Sequence, residues 1–215
     1  MKLVLFDCDG TIVDSAGIIH TCMVRTFEDF GVVRPELDHT KSIIGLTLDI
    51  AIAQMLGRPV DVEITAMTTR YKQHFMDHRQ NGGGFESAYD GLLPLIAELA
   101  ARDDVVLGVV TGKSRRGLDA ILAHHDLTKA FFTTRTADDC PSKPHPAMVL
   151  ECCAAAGIDP ERTTVIGDAI YDMQMAVNAG ARGVGVSWGY ASVGALRAAG
   201  AAHVVTTAGE IATLI

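Results

Sequence analysis

Asp7 and Asp9 follow an unbroken apolar run, Leu3-Val4-Leu5-Phe6, that is too short for a globular helix and reads as a strand buried on both faces. In an extended chain, carboxylates two residues apart point the same way and repel unless a cation or a proton sits between them. Gly10 lets the chain turn and brings backbone amides close to a ligand, and Thr11 adds a hydroxyl. Further along, Thr111-Gly112 and Gly167-Asp168 each end an apolar run, Asp172 lies one helical turn after Asp168, and Lys143 supplies an ammonium. An all-oxygen set made of Asp7, Asp9, Asp168 and Asp172, with no His or Cys, suits a hard divalent ion, and Mg²⁺ above all where phosphate is bound. Gly10, Thr11, Thr111, Gly112 and Lys143 offer the donors that phosphate oxygens need. Together these residues describe an aspartyl-phosphate reaction. Asp7 attacks phosphorus, Asp9 protonates the leaving oxygen and then activates water, and Thr111 and Lys143 stabilise charge on the transferring group.

Taken singly, each stretch has a plainer reading. Asp-x-Asp-Gly is a common turn after a strand, Asp168 a common helix cap, Thr-Gly a turn, and a lysine before proline a surface residue. What raises them above chance is where the surrounding elements put them. In a parallel sheet all strand ends share one edge, and ligands bind there.

The elements supply such a sheet. Helical spacing from Ile19 to Phe30, a helix capped by Thr47 and running to about Met55, and a third helix from Asp61 striped by Ile64, Met67, Tyr71, Phe75 and His78 form a block without strands. That block ends in Asn81-Gly82-Gly83-Gly84, a flexible stretch placed like a hinge. From Tyr89 onward helices and strands alternate. Strands are expected at Val105–Val110, Phe131–Thr133, Thr164–Ile166 and, last, Gly183–Ser187, with short helices around Ser192–Ala199 and Gly209–Ile215 on either side of Val204-Val205. Such alternation predicts an α/β fold, a doubly wound parallel (Rossmann-like) core sheet formed by residues 1–15 and 83–215, with residues 16–82 inserted as a small α-helical unit.

Composition agrees with a globular chain: 215 residues, 48% hydrophobic, 20% charged. A net charge of −8 argues against a general nucleic-acid surface and against an anionic membrane. No segment reaches the roughly 18 apolar residues of a membrane span, and five cysteines without C-x-x-C spacing read as reduced thiols, so a cytoplasmic protein is expected. Cys8, between two acids, has no neighbour that would make it nucleophilic. His74 and His78 read as a solvated helix face, His145 as a residue near the entrance, and Trp188 and Tyr190 as packing.

The ordered set D7-C-D9-G-T11, T111-G112, K143-P144 and G167-D168 with D172 resembles the four motifs of the haloacid dehalogenase superfamily. The helical insert behind the first strand resembles that family's first cap class, and GDAIYDMQMAVNAG with VSWGY resembles its phosphoglycolate phosphatase-like branch. The resemblance implies a phosphatase acting on a small phosphorylated metabolite, as monomer or homodimer. It implies a Mg²⁺ site formed by the Asp7 carboxylate, the Asp9 backbone carbonyl and Asp168, with Asp172 supporting. Thr47, Lys41 and Arg70 are the cap residues expected to select the substrate. Sugar phosphomutases of the same superfamily are disfavoured, because Leu46 replaces their cap arginine and Ile19 holds the place of their linker histidine, with His20 one position away. A signalling receiver would place its phospho-acceptor on a middle strand, and a non-catalytic partner-binding relative would be expected to have lost one of the acids.

Overall fold

The structure, a computed structural model, describes all 215 residues. Leu3, Val4, Leu5 and Phe6 are shielded completely because the strand they form, β1 (Lys2–Phe6), lies inside the sheet with a neighbour on each side. The other strands are β2 (Val105–Val110), β3 (Thr133–Arg135), β4 (Thr163–Gly167), β5 (Arg182–Val186) and β6 (His203–Val205). They run in the order β3-β2-β1-β4-β5-β6, and every pairing is parallel. The order steps outward from β1 to β3 on one side and from β4 to β6 on the other. The switch point therefore falls between β1 and β4, where the crevice at the strand ends opens.

Before the sheet resumes at β2, the chain forms four helices above that edge: α1 (Ala16–Asp29), α2 (Leu37–Ile43), α3 (Leu48–Leu56) and α4 (Val62–Gln80). They bury a cluster of their own, including Met23, Phe27, Ile43, Ile52, Ile64, Met67 and Tyr71. The Asp61 carboxylate caps α4 by accepting from Ile64 N–H at 2.9 Å. Chain exit and return run side by side: Asp14 N–H donates to Ser87 O at 2.9 Å and Tyr89 N–H to Ile12 O at 3.0 Å.

The remaining helices, α5 (Leu92–Ala100), α6 (Arg115–His124), α7 (Ala147–Ala156), α8 (Ile170–Ala179), α9 (Val193–Ala198) and α10 (Ala208–Leu214), clothe the sheet. Period-2 alternation divides β1 between its faces. Val4 and Phe6 pack with Leu95, Ile96, Leu118, Ile121 and Ile211 of α5, α6 and α10, while Leu3 and Leu5 pack with Met148, Cys152 and Met175 of α7 and α8. No helix is long and apolar enough to cross a membrane.

The doubly wound α/β expectation holds, with local corrections. The third strand begins at Thr133 rather than spanning Phe131–Thr133; Phe132 is exposed, and the ladder pairs Gly108, Val109 and Val110 with Thr133, Thr134 and Arg135. A sixth strand includes Val204-Val205, so β5 is not the last, and α2 is an additional short helix. On α4 the buried stripe is Ile64, Met67, Tyr71 and His74. His74 is buried because α1 approaches there, with Nε2 2.8 Å from Asp29 Oδ2, so the solvated-face reading fails for it.

Candidate active site

The ladder itself aims the first functional groups. Beyond β1, Asp7 N–H still donates to Ile166 O at 2.8 Å, and beyond β2, Thr111 N–H donates to Arg135 O at 3.0 Å. Both side chains therefore leave the sheet from fixed backbone. The carboxylates of Asp7, Asp168 and Asp172 meet at the switch point, each offering an oxygen within 4.8 Å of the others. All three are at most 1% exposed. Lys143 Nζ, fully buried, lies 2.8 Å from Asp7 Oδ1 and 2.6 Å from Asp172 Oδ1. The other Asp172 oxygen accepts from Ala169 N–H at 3.0 Å. Asp168 accepts from the Thr11 hydroxyl at 3.1 Å and from Tyr190 N–H at 2.9 Å. Asp7 Oδ2 has no hydrogen-bond partner.

Gly10 permits this approach: its φ is +85°, and a Cβ there would stand 2.3 Å from Asp168 Oδ2. Its N–H donates to Val13 O at 2.8 Å, and Thr11 N–H to Cys8 O. With the Thr11 hydroxyl on Asp168, Gly10 and Thr11 hold the loop and Asp168 in place rather than presenting donors to a phosphate. Thr111 is buried, and its oxygen accepts from Lys113 N–H at 3.2 Å, leaving its own proton to donate. Gly112 marks the closest approach of the α2–α3 loop, since a Cβ there would lie 2.5 Å from Leu46 O.

Three carboxylates around one ammonium leave the cluster short of positive charge. Burial pushes the Asp7 carboxyl up to about 7; Lys143 opposes this, while Asp172 and Asp9 add to it. Asp168 is driven well above the usual carboxylate range by burial, then by Asp172 and Asp7. Burial works against the charge on Lys143, but Asp172 and Asp7 outweigh it and raise its pKa above that of a free lysine. Buried oxygens, an Asp7 oxygen without a partner and an unbalanced negative charge fit a hard divalent cation.

Asp9 departs from expectation. Its carboxylate is not part of this cluster but lies 2.8 Å from Lys113 Nζ, on the side facing the helical block. Lys113 in turn lies 3.6 Å from Glu86 Oε1, and Arg79, at the end of α4, reaches Glu86 Oε2 at 2.8 Å. Burial opposes the Lys113 charge, but Asp9, Cys8 and Glu86 raise its pKa. Lys113, Glu86 and Arg79 carry no sequence signal beyond Lys113 following Thr111-Gly112. Glu86 and Arg79 come together only because the chain returns beside its own exit.

Burial, then Asp9, raises the Cys8 thiol well above its usual value, so it stays protonated, as its acidic neighbours imply. Tyr190 is more than packing: its hydroxyl accepts from Ser15 and Ala16 N–H, both at 3.0 Å, where the chain enters α1, while its own N–H holds Asp168. Trp188 Nε1–H donates to Thr11 O at 3.2 Å. His145 Nδ1 accepts from Ala147 N–H at 3.2 Å at the start of α7 rather than lining an entrance. Of the expected selecting residues, Thr47 lines the cavity beneath the helical block and its N–H donates to Ser142 Oγ at 2.9 Å. Arg70 instead pairs with Asp29, and Lys41 is not part of the cavity wall.

An acid cluster with its lysine at the switch point of a parallel sheet, overlaid by a helical insert, defines a class, and residues 4–186 match that class as a family: the chain belongs to the haloacid dehalogenase-like hydrolases. It is a phosphatase of that family. It is 31% identical to "Probable phosphatase IndB" of Dickeya dadantii over 97% of this chain and 91% of that protein. It is also 26% identical to the phosphoglycolate phosphatase of Pseudomonas putida over 88% of this chain and 70% of that one. Among solved structures, a hydrolase from Pseudomonas syringae superposes with a TM-score of 0.86 at 21% identity, covering 99% of this chain and 97% of that one, a likeness of fold.

Proposed function

We propose that this chain is a Mg²⁺-dependent phosphomonoesterase that works in the cytoplasm and hydrolyses a small organic phosphate through a phosphoaspartate on Asp7, with residues 16–82 acting as a cap. The observation that carries this reading is Asp7 itself: buried, one oxygen free of partners, the other 2.8 Å from an ammonium, at the end of the central strand. The partnerless oxygen attacks phosphorus, forming the Asp7–phosphorus bond as the ester oxygen departs. Asp9, facing the helical block, protonates that departing oxygen. It then takes a proton from the water that attacks the phosphoaspartate, which frees Asp7 and phosphate. Lys143 and the Thr111 hydroxyl stabilise charge on the equatorial oxygens. Asp7, the Asp9 carbonyl and Asp168 would hold Mg²⁺, with Asp172 supporting, and the ion would neutralise the carboxylates and the phosphate oxygens.

Hydrolysis is favoured over phosphomutase chemistry because His20 Nδ1 lies 2.9 Å from Thr40 Oγ1 within the helical block, and Leu46 offers no cation. The test is phosphate release from a panel of phosphate esters, with and without Mg²⁺, by the native chain and by Asp7→Asn. Release that requires both Mg²⁺ and Asp7 supports the reading; release unchanged in Asp7→Asn, or none from any ester, rejects it.

A further inference from the structure

The cavity between the helical block and the sheet edge has a volume of about 560 Å³, within the ~300–1,000 Å³ range of small-molecule sites. Asp9 lines it, while Asp7, Asp168 and Asp172 do not. If Asp9 protonates the departing oxygen, as proposed above, this cavity is where the alcohol half of the ester lies. Its inner wall is apolar: Met23, Ile43, Leu46, Tyr71 and Phe75, with the exposed Phe85 at its edge.

The cations at its inner end already have partners. Lys113 sits between Asp9 and Glu86, and Arg79 is paired with Glu86. The Arg79 guanidinium also lies 4.2 Å from the Phe85 ring centre and 5.2 Å from that of Phe75. Neither the ammonium nor the guanidinium is left free to meet a substrate anion. The cations without acidic partners, Lys72 and Arg116, are exposed residues at the mouth. A carboxylate one carbon away from the ester oxygen, as in glycolate, would find no free cation beside Asp9 and lie against hydrocarbon.

From the engaged cations and the apolar wall, which rest on the phosphomonoesterase reading, we infer that the substrate is the phosphate ester of an uncharged, largely apolar alcohol bulkier than glycolate. The test ranks kcat/KM with Mg²⁺ for three alkyl esters: 2-phenylethyl phosphate, 2-hydroxyethyl phosphate and phosphoglycolate. The first exceeds the last by at least ~10-fold, the usual worth of apolar complementarity, and 2-hydroxyethyl phosphate, similar in size to phosphoglycolate but without its carboxylate, lies between them. Phosphoglycolate equal to or better than 2-phenylethyl phosphate overturns the inference and leaves the phosphatase reading standing. If no ester is hydrolysed, the phosphatase reading falls by itself, and calorimetry of the same three esters on Asp7→Asn still ranks their binding. Tighter binding of phosphoglycolate there overturns the inference independently.

Discussion

Lys143→Met removes the ammonium that Asp7 and Asp172 share while filling much of its volume. In the native chain Lys143 is fully buried, 2.8 Å from one carboxylate and 2.6 Å from the other. Deleting one member of a buried pair costs about 3–5 kcal/mol, because the remaining charge is left without compensation. That cost depends on pH. The Asp7 carboxyl already stands at about 7 against an ordinary 3.8, and without Lys143 it moves higher. A carboxyl whose folded-state pKa exceeds its unfolded one binds more protons in the folded chain, so stability falls as pH rises from about 4 through the folded value. Near pH 5.5 Asp7 keeps its proton, so the substitution costs only the Lys143–Asp172 contact; near pH 8.5 Asp7 too is left uncompensated and the full 3–5 kcal/mol is expected. At about 2–4 °C per kcal/mol for a chain of this size, the fall in Tm should be roughly 5 °C greater at the higher pH, the share that belongs to Asp7. Excess Mg²⁺ supplies the missing charge and narrows that difference. Thermal melts of native and variant protein at both pH values, in EDTA and in Mg²⁺, read this directly. An equal fall at both pH values, indifferent to Mg²⁺, would show that Lys143 only fills space.

Other substitutions probe the approach of the helical block and the second charge group. Gly112→Ala puts a Cβ 2.5 Å from Leu46 O, so the core should fold normally while the block is held away; KM rises several-fold with Tm within a few degrees, and an unchanged KM would refute the need for that contact. Lys113→Met leaves Asp9 without its ammonium and should lower kcat by about 10²-fold, with partial recovery in Lys113→Arg; steady-state kinetics showing full activity would deny it a part in positioning Asp9. Gly10→Ala forces a side chain onto Asp168 from a φ of +85°, so Mg²⁺ affinity measured by calorimetry should fall at least ~10-fold; unchanged affinity would refute the claim that this close approach shapes the site.

The sheet edge was legible because its signals are local. An apolar run broken by an acid, as at Phe6-Asp7 and Gly167-Asp168, marks both a buried strand and the place where it ends. The misplacements arose where burial is partial. β3 is an edge strand, so its polar residues Thr134 and Arg135 belong to the ladder while the apolar Phe132 faces water. β6 is too short, at three residues, to show a period. The Asp7–Lys143 contact could be anticipated because each residue sits beside a recognisable break; that Asp172 shares the same ammonium could not. Lys113, Glu86 and Arg79 could not, since their meeting depends on how the exit and return segments pair, and a charged residue outside a motif reads the same whether buried or solvated. The burial of His74 is hidden for the same reason: its partner Asp29 lies 45 residues away on α1.

The central claim is that Asp7 carries the phosphoryl group during turnover. Rapid acid quench of the Mg²⁺-loaded enzyme with a hydrolysed ester, followed by intact mass and peptide mapping, measures this most directly. One phosphoryl group per chain, confined to the peptide containing Asp7 and absent from Asp7→Asn, is the predicted result. Steady turnover with no label on Asp7 at the earliest quench times, or with label on another residue, would contradict it.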